Sequence, residues 1–336
     1  MKKLLLFLPS QMREAILAFD ALQMIRQHHP DDQIHLVAGP KTAPLYMDSP
    51  YIDKLLPLRK GGKDVARAQM ARLGGEKYHT AFFWQSDMEW IELARSLRIP
   101  ERLGMRLGWR YRSLLTRTVD MEERQKQIHC SRFYCELAHR LGITRSETAG
   151  TLPFPVSQRA QRAAQRVLGQ HRQGYVIVHA GPADQPNKCW RPDRLADVAR
   201  GLWANHKLSV VITGTRADAQ QAAAIASCLE GVDTLNLAGE VDVTTLMGLL
   251  GGARVTLGPE TAPVHLADAM GVPTVTYFGP SDPVQWGPRS ERTALVQAEG
   301  LLCTPCMRSE CDKAGHYCMD LVDTDEVYWI CEKVMG

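Results

Sequence analysis

An acid, a hydroxyl and an imidazole stand within six residues in the stretch GPETAPVH, as Glu260, Thr261 and His265. A lysine, Lys188, stands in a second loop-like stretch, HAGPADQPNKCWRP, and a third, TGTRAD, carries Gly214, Thr215 and Arg216. Ammonium, hydroxyl and free backbone N–H groups are what a phosphate needs. Lys188 can neutralise a diphosphate, and Thr261 can cap a helix or donate to a phosphate oxygen. Glu260 would repel phosphate, so it suits a ribose hydroxyl or a backbone N–H. Each also has an ordinary reading: a cap at Thr261, a core histidine at His265, a surface lysine at Lys188, and at Glu14 a helix-start acid favoured by the dipole. A separate cluster, CTPCMRSECDKAGHYC, gathers four of the nine cysteines: Cys303, Cys306, Cys311 and Cys318. Cys-x-x-Cys followed by two more thiols suits tetrahedral zinc, or iron, in a structural role, with His316 as a substitute ligand.

The elements around these residues must bring them together. From residue 175 onward, apolar strand patterns alternate with helix patterns: strands at 175–181, 208–214, 232–239, 254–258 and 273–279, and helices at 193–206, 217–229, 242–253 and 262–271. Such alternation predicts a parallel, doubly wound sheet, whose ligands bind at the carboxyl ends of the strands. The Lys188, Thr215 and Glu260 loops all fall at such ends. The first half reads the same way but less completely, with strands at 2–8, 33–39 and 80–86 and a helix at 14–29. Residues 95–117 are rich in arginine. The stretch GITRSETAGTLPFPVS, residues 142–157, reads as the linker. The predicted division is an N-terminal domain over 1–155, a C-terminal one over 156–323 with the cysteine-rich loop 303–318, and a last helix over 324–336.

Composition narrows the class. At 336 residues and 45% hydrophobic, the chain can build two cores. A formal charge of +3 gives no reason to expect a nucleic-acid partner. No apolar run approaches the roughly 18 residues of a membrane span. The opening MKKLLLFLPS has five apolar residues and then a proline, short of a secretory core. It reads as a buried strand, and the protein is expected to be cytoplasmic with reduced or metal-bound cysteines.

The chain resembles the family 9 glycosyltransferases, the bacterial lipopolysaccharide heptosyltransferases, most strongly over residues 188–288. KCWRP supplies the lysine and tryptophan-proline of that family, NLAG (Asn236, Leu237, Ala238 and Gly239) precedes a helix, and ETAPVHLADAMGVPTVTYFGPSDP matches its acid-hydroxyl-histidine segment and final strand. The tail CTPCMRSECDKAGHYCMDLVDTDEV is similar to the cysteine-rich tail of some second-heptose transferases. The resemblance implies a GT-B fold, α/β, with two doubly wound Rossmann-like domains facing across a cleft. It implies an ADP-heptose donor on the C-terminal domain and a lipid A/core oligosaccharide acceptor on the N-terminal one, met at the inner membrane surface. The donor site would use Lys188, Gly214, Thr215, Arg216, Val241, Glu260, Thr261, Ala262 and His265. The implied reaction is an inverting displacement with Glu14 as base. Lys188 and helix N-termini would stabilise the leaving ADP, with no obligatory catalytic metal. Arg13-Glu14 stands where the family has Gly-Asp, Glu260 and Ala262 replace its usual aspartate and glycine, and Arg216 replaces a frequent acid. Those departures keep open transfer of another sugar, protein O-heptosylation, or a catalytically weak binding or assembly role. The oligomeric state is not readable.

Overall fold

The computed structural model describes residues 1–145, 152–169, 174–313 and 315–336, without the side chains of residues 63, 66 and 67. Residues 146–151 of the expected linker, and the last two residues of the helix that the stretch QRAAQRVLGQH predicts over 161–171, lie outside the described residues. The chain forms two compact units, Met1–Leu152 and Pro153–Gly336.

The first unit is a six-stranded parallel sheet of β1 (Lys3–Phe7), β2 (Gln33–Ala38), β3 (Lys54–Pro57), β4 (Thr80–Phe83), β5 (Glu101–Met105) and β6 (Arg117–Val119), in the order β3-β2-β1-β4-β5-β6. β1 is the run KLLLF because it lies at the centre, with side chains covered on both faces. Phe7 of β1 is in register with Phe83 of β4, and the two rings stack at 4.6 Å. The helix expected over 14–29 is two helices, α1 (Met12–Leu17) and α2 (Phe19–His28), meeting at Ala18. The strands β3, β5 and β6 were not expected. They are three to five residues long, too short for a two-residue period to stand out. The arginine-rich stretch supplies β5, α5 (Trp109–Leu114) and the start of β6.

The second unit repeats the plan. Its strands are β7 (Tyr175–His179), β8 (Ser209–Thr213), β9 (Thr234–Asn236), β10 (Val255–Pro259), β11 (Thr274–Phe278) and β12 (Thr293–Gln297), all parallel, in the order β12-β11-β10-β7-β8-β9. Five strands were expected. The sixth, β12, is a half-exposed edge strand with only Val296 buried. Counted from its own first strand, each sheet has the order 3-2-1-4-5-6 of a doubly wound fold. The strand order reverses between β1 and β4 in one unit and between β7 and β10 in the other. Helix α8 (Pro192–His206) opens on a proline at its first position, where no N–H is needed. Helices α7 (Gln158–Leu168) and α10 (Val243–Gly252) pack closely because Gly248 has no side chain. A Cβ there would lie 2.0 Å from the Ala160 carbonyl oxygen. The last helix, α14 (Thr324–Met335), buries Val327, Cys331 and Met335 in the core of the second unit, against α8 and the sheet.

Candidate active site

In the second unit Lys188, Glu260 and His265 converge at the strand-order reversal, while Gly214, Thr215, Arg216 and Val241 lie in the loops after β8 and β9. The loop after β7 ends in a short 3-10 turn, Pro186–Lys188, and Glu260 follows β10 directly. Lys188 Nζ donates to Glu260 Oε2 at 2.8 Å, so the pair bridges the two central strands. Ser281, after β11, donates its hydroxyl to the same oxygen at 2.7 Å. The other oxygen, Oε1, is 2.9 Å from His265 Nε2, one turn into α11 (Ala262–Ala269). Glu260 is 2% exposed, and the Lys188 side chain 13%. A buried carboxylate persists only with such partners. Lys188, expected to neutralise a diphosphate, and Glu260, expected to accept from a ribose hydroxyl or a backbone N–H, are thus paired with each other in the protein. The two hold each other, and Lys188 keeps two further N–H donors for a ligand.

Thr261 occupies the N-cap position of α11, but its hydroxyl donates to the Pro259 carbonyl at 3.1 Å and caps nothing. The opening N–H groups of α11 therefore lack a side-chain cap, and Ala262 and Pro263 begin the helix half-buried. Thr215 is engaged within its own loop. Its hydroxyl and its N–H both donate to Asp218 Oδ2 at 2.7 Å, in a capping box that opens the turn before α9 (Ala219–Ser227). Asp218 Oδ1 accepts from Ala183 N at 2.7 Å, tying the β8 loop to the Lys188 loop. Asp218 closes the stretch TGTRAD and reads there as an ordinary helix-start acid, yet it is buried and supplies an acid two positions beyond the exposed Arg216. Gly214 and Gly239 let the β8 and β9 loops touch. Gly239 N donates to the Gly214 carbonyl at 2.9 Å, and at φ +81° a Cβ on Gly239 would meet Arg216. Val241 is half-buried just before Asp242, which caps α10 through Thr245 N. His179, at the end of β7, is buried 3.1 Å from the Thr213 hydroxyl, and desolvation pushes its pKa down to about 4. It is a neutral floor to the loops.

In the first unit, Glu14 lies in the first turn of α1, after β1. Its carboxyl is partly buried, and burial raises its pKa above the ordinary 4.5, opposed by the Arg13 charge and a hydrogen bond from Gln85. Gln85 stands two residues after β4, so this contact also spans a strand-order reversal. Behind it, α6 (Cys130–Arg140) brings Cys130 and Tyr134. The Cys130 thiol is pushed up to about 12 by burial first and by Glu14 second.

The four clustered cysteines are free thiols. Cys318 is raised to about 11 by burial and then by the neighbouring Cys306, Cys311 and Cys303. Their chemistry suits a metal, but among the described residues no three His, Cys, Asp or Glu side chains are arranged to hold one. The loop is pinned to the Lys188 turn. Asn187 Nδ2 donates to the Arg308 carbonyl at 2.8 Å, and a Cβ on Gly279 would lie 3.2 Å from Cys318 Sγ. No helix of the described residues is long and apolar enough to cross a membrane.

Two doubly wound α/β units in one chain are the architecture of the GT-B fold. The chain belongs to glycosyltransferase family 9 (heptosyltransferase), whose model matches residues 67–316. It is 23% identical over 333 residues to the lipopolysaccharide heptosyltransferase 3 of Escherichia coli strain K12, covering 96% of this chain and 95% of that one. Its fold is that of a family 9 glycosyl transferase from Veillonella parvula DSM 2008, with a TM-score of 0.84 and 18% identity over 99% of this chain and 97% of the other. It also matches the E. coli heptosyltransferase WaaC solved with ADP, with a TM-score of 0.74 and 16% identity over 99% of each chain.

Proposed function

We propose that this glycosyltransferase moves a heptose from ADP-heptose to the inner core of lipopolysaccharide with inversion. The observation that carries the reading is the pair of charged contacts at the two strand-order reversals, Lys188 with Glu260 and Glu14 with Gln85. The names of the relatives support the donor and acceptor classes. In the proposed reaction an acceptor hydroxyl oxygen forms a bond to the anomeric carbon, and the bond from that carbon to the β-phosphate oxygen breaks. The hydroxyl proton passes to Glu14, and ADP leaves. A carboxylate whose pKa is raised above its ordinary value by burial is a stronger base toward the acceptor hydroxyl. Lys188, oriented by Glu260, gives its remaining donors to the diphosphate, with the uncapped N–H groups of α11 beside it. These groups supply the charge, so transfer is expected to persist in EDTA. The acceptor is a membrane-anchored lipid A/core oligosaccharide, met at the inner leaflet, and no nucleic acid is involved.

The test is transfer from ADP-heptose to core-truncated lipopolysaccharide, read as ADP release and product mass. Glu14→Gln is expected to retain ADP binding and lose transfer by about 10²–10⁴-fold. Wild-type transfer by Glu14→Gln under chemistry-limited conditions would overturn the role of Glu14. The exposed Arg216 beside Gly239 favours one second reading, a different sugar on the donor, which a panel of sugar nucleotides separates. A structural zinc or iron at Cys303, Cys306, Cys311 and Cys318 is a companion proposal from their chemistry. Sub-stoichiometric metal in elemental analysis of untagged protein would sink it.

A further inference from the structure

The strand-order reversal of the first unit holds a group that the proposed chemistry does not use. Gln85 follows β4, and its Nε2 donates to Glu14 Oε2 across the two central strands. No other side-chain hydrogen bond to the Glu14 carboxyl is present among the described residues, so Oε1 is left for a substrate hydroxyl. The loop that carries Gln85 is braced on each side. The Ser86 hydroxyl donates to the Met105 carbonyl at the end of β5, and the Ser86 carbonyl accepts from the Tyr111 hydroxyl at 3.2 Å. Asp87 caps α4 (Met88–Ser96) by accepting from Glu89 N and Trp90 N, and its own N–H donates to the Gln85 carbonyl at 2.9 Å. A side chain on such a loop has little freedom to leave its partner.

We infer that Gln85 is the positioning residue for Glu14, locking one carboxyl oxygen so that the other faces the acceptor hydroxyl; this rests on the reading of Glu14 as base. The choice of an amide has a chemical reason. A lysine or arginine there would hold the carboxylate equally well but would strip it of basicity. An amide donates without adding charge. It orients the base and lets burial keep that base strong. Among the described residues, the charged and titratable groups that act on or beside Glu14 are Arg13 on its own helix and Cys130 and Tyr134 from α6. Asp20 of α2 acts on Tyr46 instead. Tyr134 lies beside both Gln85 and Cys130.

The experiment compares the full-length wild type with Gln85→Ala, Gln85→Glu, Glu14→Gln and the Glu14→Gln/Gln85→Ala double variant. The probes are ADP-heptose and core-truncated lipopolysaccharide. Two readings are taken: the pH dependence of kcat, and the titration of the Glu14 carboxyl by its ¹³C signal, assigned by its loss in Glu14→Gln. Gln85→Ala is expected to lower kcat about tenfold and leave KM for the donor within about twofold. Losing a donor to the charged form moves the Glu14 titration, and with it the acid limb of the profile, to higher pH. Gln85→Glu, nearly isosteric, is expected to move both further, because a like charge then adjoins the base. In the Glu14→Gln background, Gln85→Ala is expected to add nothing. An unmoved Glu14 titration in both Gln85 variants would overturn the inference, even if no sugar is transferred. A wild-type rate in Glu14→Gln would instead sink the base assignment, which is a separate outcome.

Discussion

Glu260 shows how a single buried charge is made tolerable and then useful. Its two oxygens are shared among Lys188, Ser281 and His265. Truncating Lys188 leaves that charge short of its main partner, which costs about 3 kcal/mol when the remaining hydrogen bonds soften the loss. Lys188→Ala is therefore expected to lose both stability and ADP binding. Lys188→Met with Glu260→Gln removes both charges and should recover most of the stability but none of the ADP binding, measured by urea unfolding and calorimetry. If the double variant binds ADP like wild type, Lys188 serves only the fold. His179 makes a second prediction. Its folded pKa, about 4, lies below the unfolded 6.5. The folded state therefore disfavours the proton, and the contribution is complete above pH 6.5 and lost as pH falls toward 4. The loss is about 3 kcal/mol at its largest. His179→Gln should flatten stability over that window, and an unchanged slope would show that other groups govern it.

At the scale of elements, α7 and α10 meet at Gly248 with no room for a side chain. Gly248→Ala gains about 1 kcal/mol of helix propensity in isolation. Its new methyl would lie 2.0 Å from the Ala160 carbonyl oxygen and 2.9 Å from Ala164 Cβ. The helices must part, and overpacking of this kind costs about 1–3 kcal/mol or more. The expected net result is a lower unfolding midpoint, and a raised one would mean that α7 can slide away freely. The elements differ in how openly the sequence declares them. β7, β8 and β10 are apolar runs bounded by glycine or proline and were readable at once. β6 is three residues long, and β12 turns only one side chain into the core, so neither carries a period to read. Site residues divide in the same way. Glu260, Thr261 and His265 sit together on one loop-helix junction and announce themselves. Gln85 follows a strand and lies 71 residues beyond Glu14, and Asp218 meets a backbone N–H 35 residues before it, so only the folded chain shows what they touch.

For the whole molecule, the two units carry separate sheets and separate cores, one built on Leu5, Phe7 and Phe83 and the other on Val176, Ile212 and Tyr277. The loops proposed to hold the nucleotide all belong to the second unit. A fragment of residues 153–336 is expected to fold and to bind ADP with the affinity of the full chain. It should be stabilised by about 2.7 kcal/mol at a hundredfold excess of ligand over Kd. Loss of binding in a folded fragment would show that the first unit contributes to the nucleotide site.

The hydrogen bond from Asn187 to the Arg308 carbonyl has a consequence for descent. A relative with a shorter cysteine-rich loop would leave an amide at this position facing no carbonyl, at a cost of about 1–3 kcal/mol. Residue 187 and the length of that loop should therefore change together as the family diverges. A chimera that exchanges the loop between two relatives would have to carry residue 187 along with it, or the neighbouring lysine would lose its footing.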